Sequence, residues 1–265
     1  MKRDVSSRIV LDITEPADLI FAIAVSDQYY RGREDFTATL DGTPVTYRVV
    51  SDAHGTRLHR LRSGVGRLEV TYSASIVGEA NPAVASESDL IVYTRPSRYA
   101  ESDSLGPTAN AEFAGITDAA ELLHSVSSWV GTRLFYVSGS SLPTDGAVRT
   151  LLARQGVCRD YAHLCVALLR GLGIPARHVA VYAPGLYPMD FHAVAEAHID
   201  GAWRVVDATT LAPRQTLVRI ATGRDAADAA FLTVASGRAD LVDLEVSAIA
   251  DVLPNDDITT LVSIG

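Results

Sequence analysis

The chain has 265 residues, 48% of them apolar, enough for one large domain or two modest ones with real cores. Its formal net charge of −9 argues against a nucleic-acid or anionic-membrane surface, since those need basic clusters. No apolar run reaches the ~18 residues that a membrane-spanning helix needs. The N-terminus begins Met1-Lys2-Arg3, but Asp12 and Glu15 interrupt any hydrophobic segment behind it. The chain therefore reads as lacking a signal peptide, and a cytoplasmic location is expected.

Residues 8 to about 78 read as strands. Leu19 to Val25 is a short apolar run that Ser26-Asp27 stops. Phe36 to Leu40 leads into Asp41-Gly42, a hairpin signal, and then into Val45 to Val50. Arg57 to Leu61 and Arg67 to Tyr72 alternate in part. Short strands parted by turn residues predict a small antiparallel, sandwich-like β domain over 1–78. Residues 79–115 are rich in Glu, Ser, Pro, Asn and Gly, and predict a connector.

Helices are expected in the third segment, 116–265. The first starts at Thr117 and carries Leu122, Leu123, Val126, Trp129 and Val130. The second follows Thr144-Asp145 and ends near Gly156. The third runs from Cys158 to Arg170, with Gly171, Gly173 and Pro175 ending it. Apolar residues on two of its faces predict a central, buried helix. Strands return at Ala176 to Tyr182, His192 to Ile199, Trp203 to Thr209 and Thr216 to Ile220. Asp225 to Phe231 reads as partly helical, and Leu241 to Ile249 as a strand. Helices and strands both appear, so the fold class is α+β.

The two cysteines, Cys158 and Cys165, stand seven positions apart, about 10 Å along a helix. A disulfide needs Cα atoms within ~7 Å, so these two do not bridge. No CxxC, HExxH or His/Cys cluster suggests a metal, and no cofactor is expected.

Cys158 stands where a glycine-broken approach enters the helix. Sulfur at a helix N-terminus feels the positive end of the macrodipole, which favours the nucleophilic thiolate. His192 and Asp207 lie on the two strands that flank Asp200-Gly201, the strongest hairpin signal in the chain. With Asp200-Gly201 as a two-residue loop, Ile199 faces Ala202, His192 faces Thr209 and Val194 faces Asp207. His192 and Asp207 are then diagonal neighbours on one face, about 7–8 Å apart along the backbone and within side-chain reach. The arrangement suits acyl chemistry. Cys158 attacks, His192 serves as base and then acid, and Asp207 orients the ring. The Cys158 backbone N–H is a candidate oxyanion donor, while its companion donor is not legible.

A plainer reading competes at each position. Cysteines in apolar helices are usually inert core residues, and this suffices for Cys165. His163 lies about 140° round the helix from Cys158, so it and Asp160 are expected to organise the helix start or a nearby loop. His198 is expected at a solvated hairpin tip, and His178 in the core.

Gly156 to Leu164 (Gly-Val-Cys-Arg-Asp-Tyr-Ala-His-Leu) and Ala167 to Arg177 resemble the bacterial transglutaminase-like cysteine protease family. So do His192 to Ala197 and Trp203 to Thr209. Arg95 to Tyr99 and Gly223 to Asp228 resemble its members with an N-terminal β module. The resemblance implies a papain-like core. It also implies Cys158 as nucleophile, His192 as base and Asp207 as orienting acid. One departure stands out: members usually carry an aromatic residue beside the histidine or two after it, where this chain has Ala193 and Val194.

The expected activity is a thiol protease or amidase that cleaves a peptide or isopeptide bond in a peptide or protein substrate. A transglutaminase shares the first half of this mechanism and differs in taking an amine acceptor. Hydrolysis is favoured because nothing suggests a calcium site or a lysine tunnel. The alternative from another class is a non-catalytic scaffold that binds a peptide or protein.

Overall fold

The computed structural model describes residues 1–265. In chain order, six strands come first: β1 (Lys2–Phe21), β2 (Arg31–Leu40), β3 (Thr43–Pro44), β4 (Tyr47–Ser51), β5 (Arg57–Ser63) and β6 (Gly66–Val77). Helices α1 (Glu87–Val92), α2 (Ser102–Phe113) and α3 (Ala119–Arg133) follow. Then come β7 (Phe135–Tyr136), α4 (Ala147–Ala153), β8 (Gln155–Gly156) and α5 (Cys158–Gly171). The chain ends with β9 (Ala176–Tyr182), β10 (Phe191–Ile199), β11 (Ala202–Val206), β12 (Val218–Gly223) and β13 (Leu232–Ala250). No helix is long and apolar enough to cross a membrane.

The six N-terminal strands and β13 form one antiparallel sheet of seven strands, in which β1 is much longer than the sequence suggested. β1 alone spans 20 residues, because Arg3, Val5, Ser7, Ile9, Leu11 and Ile13 alternate inward. It pairs with β6 up to Ile13 and with β5 from Ala17, with Pro16 at the break, where the ladder to β13 also slips. The hairpin expected at Asp41-Gly42 forms, with Leu40 opposite Thr43 and both loop residues at positive φ.

Two expectations about organisation are corrected. β13 pairs with β1 along nearly its whole length, so residues 232–250 lie in the N-terminal sheet, outside the helical half. Such a long-range pairing leaves no local signal in the sequence. The stretch 79–115 holds two helices where a plain connector was expected. In α2, Ser102, Leu105, Ala109 and Phe113 are buried at helical spacing, but Gly106-Pro107 in the middle disguises the stripe. Gly171 of α5 permits the close approach to α2: a Cβ on it would stand 3.0 Å from the Gly106 Cα. Residues 225–231, expected to be partly helical, form a turn-rich loop.

A four-stranded antiparallel sheet, ordered β11-β10-β9-β12, lies at the centre. One core contains Val179, Val181, Val194 and Val205 together with the inward residues of the N-terminal sheet. The other packs Ala195, Ala197, Ile199 and Val206 against α2, α3 and α5. Helix α5 is buried from Asp160 to Arg170, as its two apolar faces predicted.

Candidate active site

The start of α5 is held by its own third residue. Val157 donates its backbone N–H to Asp160 Oδ2 at 2.8 Å, satisfying a group the helix would otherwise leave free. Asp160 is fully buried, and its other oxygen accepts from Ser141 Oγ at 2.8 Å and Arg159 at 3.2 Å. The loop before α4 is thereby tied to the residues around Cys158. His163 accepts from the Ala226 N–H at 3.0 Å and stacks on Tyr99, so it serves the loop after β12 and not the cysteine. Burial, reinforced by the neighbouring His178 and arginines, pushes its pKa well down and keeps it neutral.

Cys158 is the first residue of α5 and half-buried, while Cys165 lies sealed two turns on, where burial pushes its thiol pKa up. His192 is the second residue of β10, and Asp207 follows the last residue of β11. The Asp200-Gly201 loop sets Ile199 opposite Ala202 and Ala195 opposite Val206, the register the sequence predicted. Continued past β11, it makes Asp207 the diagonal neighbour of His192. His192 Nε2 lies 3.0 Å from Asp207 Oδ2, and both side chains are 1% exposed, so almost no water screens the pair.

Asp207 is an ionised acceptor here, so Nε2 carries the hydrogen and donates. The second carboxylate oxygen is occupied by Thr209, whose N–H donates at 2.9 Å and whose hydroxyl donates at 2.7 Å. Asp207 therefore cannot rotate without losing two bonds. His192 Nδ1 is left with no hydrogen-bond partner, although it is buried. The Cys158 thiol stands within interaction range of this ring, and Nδ1 is the nitrogen left to meet it. Burial alone would keep the imidazole neutral. The Asp207 carboxylate and the Cys158 sulfur outweigh it and raise its pKa to about 10. Burial likewise opposes ionisation of Asp207, but His192 and Thr209 hold its pKa below the usual carboxylate value.

α3 comes close to this group: a Cβ on Gly131 would stand 2.7 Å from the Ala208 carbonyl oxygen. Between them opens a cavity of about 260 Å³, lined in part by Ser127, Thr132, Tyr136, Tyr161 and Thr209. Tyr136 had no signal in the sequence. It lies 22 positions before Cys158, and only the parallel pairing of β7 with β8 brings it near.

A cysteine at a helix start, above an antiparallel sheet that presents a histidine and a carboxylate, is the arrangement of a papain-like, cysteine-dependent enzyme. The transglutaminase-like superfamily profile matches residues 107–208, spanning Cys158, His192 and Asp207. A crystal structure of a "putative cysteine protease" from Cytophaga hutchinsonii superposes with a TM-score of 0.89 at 34% identity, covering 98% of this chain and 96% of that one. The chain belongs to the transglutaminase-like superfamily. An uncharacterised Mycobacterium leprae protein is 29% identical over 134 residues, 46% of this chain and 47% of the relative. An uncharacterised Mycobacterium tuberculosis protein is 42% identical over 62 residues, 23% of this chain and 20% of the relative. The chain thus spans about half or less of the curated relatives it matches.

Proposed function

We propose that the chain is a cysteine hydrolase, a protease or amidase that cleaves a peptide or isopeptide bond through Cys158, His192 and Asp207. One observation carries this reading. Asp207 fixes one nitrogen of a buried imidazole at 3.0 Å, and the other nitrogen is buried without a hydrogen-bond partner, on a ring close enough to Cys158 for the thiol to raise its pKa.

The chemistry follows from that geometry. His192 Nδ1 takes the thiol proton, and the resulting imidazolium is stabilised by Asp207. The sulfur adds to the acyl carbon of the substrate, and the carbonyl electrons move onto oxygen. As the carbonyl re-forms, His192 returns its proton to the departing nitrogen, leaving a thioester. Water, deprotonated by the same imidazole, then releases the acid and the free thiol. Thr209 holds the acid in place through both steps.

The test is a substrate-library screen with Cys158→Ala as the blank. Hydrolysis of a peptide or isopeptide probe, with mass spectrometry trapping a thioester on Cys158, supports the reading. Adding a primary amine distinguishes the acceptors: if the amide product replaces the acid at low amine concentration, hydrolysis is not the reaction. A Cys158 that reacts with iodoacetamide no faster than a free cysteine would favour a binding scaffold.

A further inference from the structure

An acyl-transfer site of this kind needs at least two donors aimed at the developing oxyanion, and the backbone N–H at a helix start supplies one. We propose that the Tyr136 hydroxyl is the second, acting beside the Cys158 backbone N–H. The proposal rests on the acyl-transfer reading above and names a residue for it.

The geometry begins with two short strands. β7 and β8 pair in parallel, and Tyr136 is set in register against Gly156, two residues before Cys158. The backbone is pinned on both sides of Tyr136. Phe135 donates to the Arg154 carbonyl at 2.9 Å, and Val137 donates to the Gly156 carbonyl at 3.0 Å. The Tyr136 ring leans on Tyr161, with centroids 6.0 Å apart. The two phenols differ in use. Tyr161 spends its hydroxyl inside the protein, donating to the Leu134 carbonyl at 2.9 Å. The Tyr136 hydroxyl makes no such bond inside the protein, and Cys158 is close enough to act on its ionisation. Tyr136 is 44% exposed and lines the cavity shared with Thr209, so its hydroxyl is not sealed from solvent.

Partial burial, and then the neighbouring sulfur, push the phenol pKa up. A phenol that keeps its proton can meet an anion only as a donor. During the reaction no proton moves to or from Tyr136. The sulfur–carbon bond forms, the carbonyl oxygen becomes anionic, and the phenol O–H and the Cys158 N–H both point at it. When that oxygen returns to a carbonyl, the two bonds weaken again.

Two probes of Cys158 separate this role from a structural one. Acylation by 4-nitrophenyl acetate passes through a tetrahedral oxyanion, whereas alkylation by iodoacetamide does not. Tyr136→Phe keeps the ring and its packing and removes only the hydroxyl. Acylation by this variant is expected to slow by roughly 10²–10³-fold, the cost of one oxyanion donor. Its alkylation rate and melting temperature should match those of the parent protein. Equal acylation rates would overturn the proposal. A parallel fall in both rates would also overturn it, because it would mean that Tyr136 shapes the thiol and not the oxyanion. If the parent protein is alkylated at Cys158 but is never acylated there, the acyl-transfer reading fails first and takes the inference with it.

Discussion

Strand β10 carries two buried ionic sites four residues apart, and they are built to opposite ends. At Glu196 every carboxylate oxygen is taken. Arg177 contacts Oε2 at 2.7 Å and Arg219 contacts Oε1 at 2.7 Å. Arg177 also lies over the Trp203 ring at 3.8 Å, and the Arg219 N–H reaches Tyr29 of the N-terminal region at 3.0 Å. At His192 the acid is equally well held, yet one ring nitrogen is buried without a hydrogen-bond partner. Both sites are nearly dry, and both carry strongly shifted pKa values. Burial opposes ionisation of Glu196, but the two arginines overcome it and lower its pKa to about 2. Shifted ionisation alone therefore does not mark function on this strand. What separates the sites is one unspent ring nitrogen close to a half-buried cysteine.

The largest expected effect bears on the reactive end. Cys158→Ala should abolish turnover and leave thermal unfolding nearly unchanged, because the residue is half-buried and holds no structural bond. Surviving activity would mean another nucleophile. Asp207→Asn comes next. It should lower kcat/KM by up to about 10⁴-fold, the loss seen when an orienting acid no longer fixes the histidine tautomer. Normal turnover in this variant would put the two ends of β10 on an equal, structural footing.

The saturated end should answer in stability. Glu196→Ala leaves two buried guanidinium groups uncompensated and is expected to cost about 3–5 kcal/mol in urea unfolding. The molecules that remain folded should still be alkylated at Cys158. A loss of alkylation with no loss of stability would reverse the assignment of the two sites.

Acidity should separate the ends in opposite directions. The Glu196 pKa is depressed when folded, so its stabilisation is full above about pH 4.5 and is lost as the pH falls towards 2. The His192 pKa is raised when folded, so its stabilisation is full below about pH 6.5 and is lost as the pH rises through about 10. The same loss sets the alkaline limb of kcat/KM near pH 10. Asp207→Asn should move that limb towards neutrality, because it removes the main influence raising the imidazole pKa. A limb that stays put would show that Asp207 does not govern the ring. The smallest effect concerns the two cysteines: iodoacetamide should label Cys158 in the native protein and spare Cys165 until denaturant is added.

The candidate site was unusually legible because its parts sit on local signals. Asp200-Gly201 fixes a two-residue turn, and strand period then decides which side chains become neighbours. Gly156 before the cysteine, and Gly171, Gly173 and Pro175 after it, mark the ends of α5. Helix α2 was missed for the converse reason, since its turn-forming residues serve packing against α5. Arg95 to Tyr99 and Gly223 to Asp228 resembled the family without a visible purpose. In the fold they lock together round the end of α5: Arg170 donates to the Arg95 and Arg224 carbonyls, and Tyr99 N–H donates to Asp225.

From the amino acids alone came the buried helix, the hairpin register and the three residues that meet beside it, because turns, caps and periodicity act over a few positions. Only the tertiary structure placed β13 beside β1, set Tyr136 opposite Gly156 and separated the carboxylate of Glu196, held by two arginines, from that of Asp207 beside His192. Those outcomes depend on pairings between distant segments, whose strength comes from surfaces and backbone groups that every strand shares.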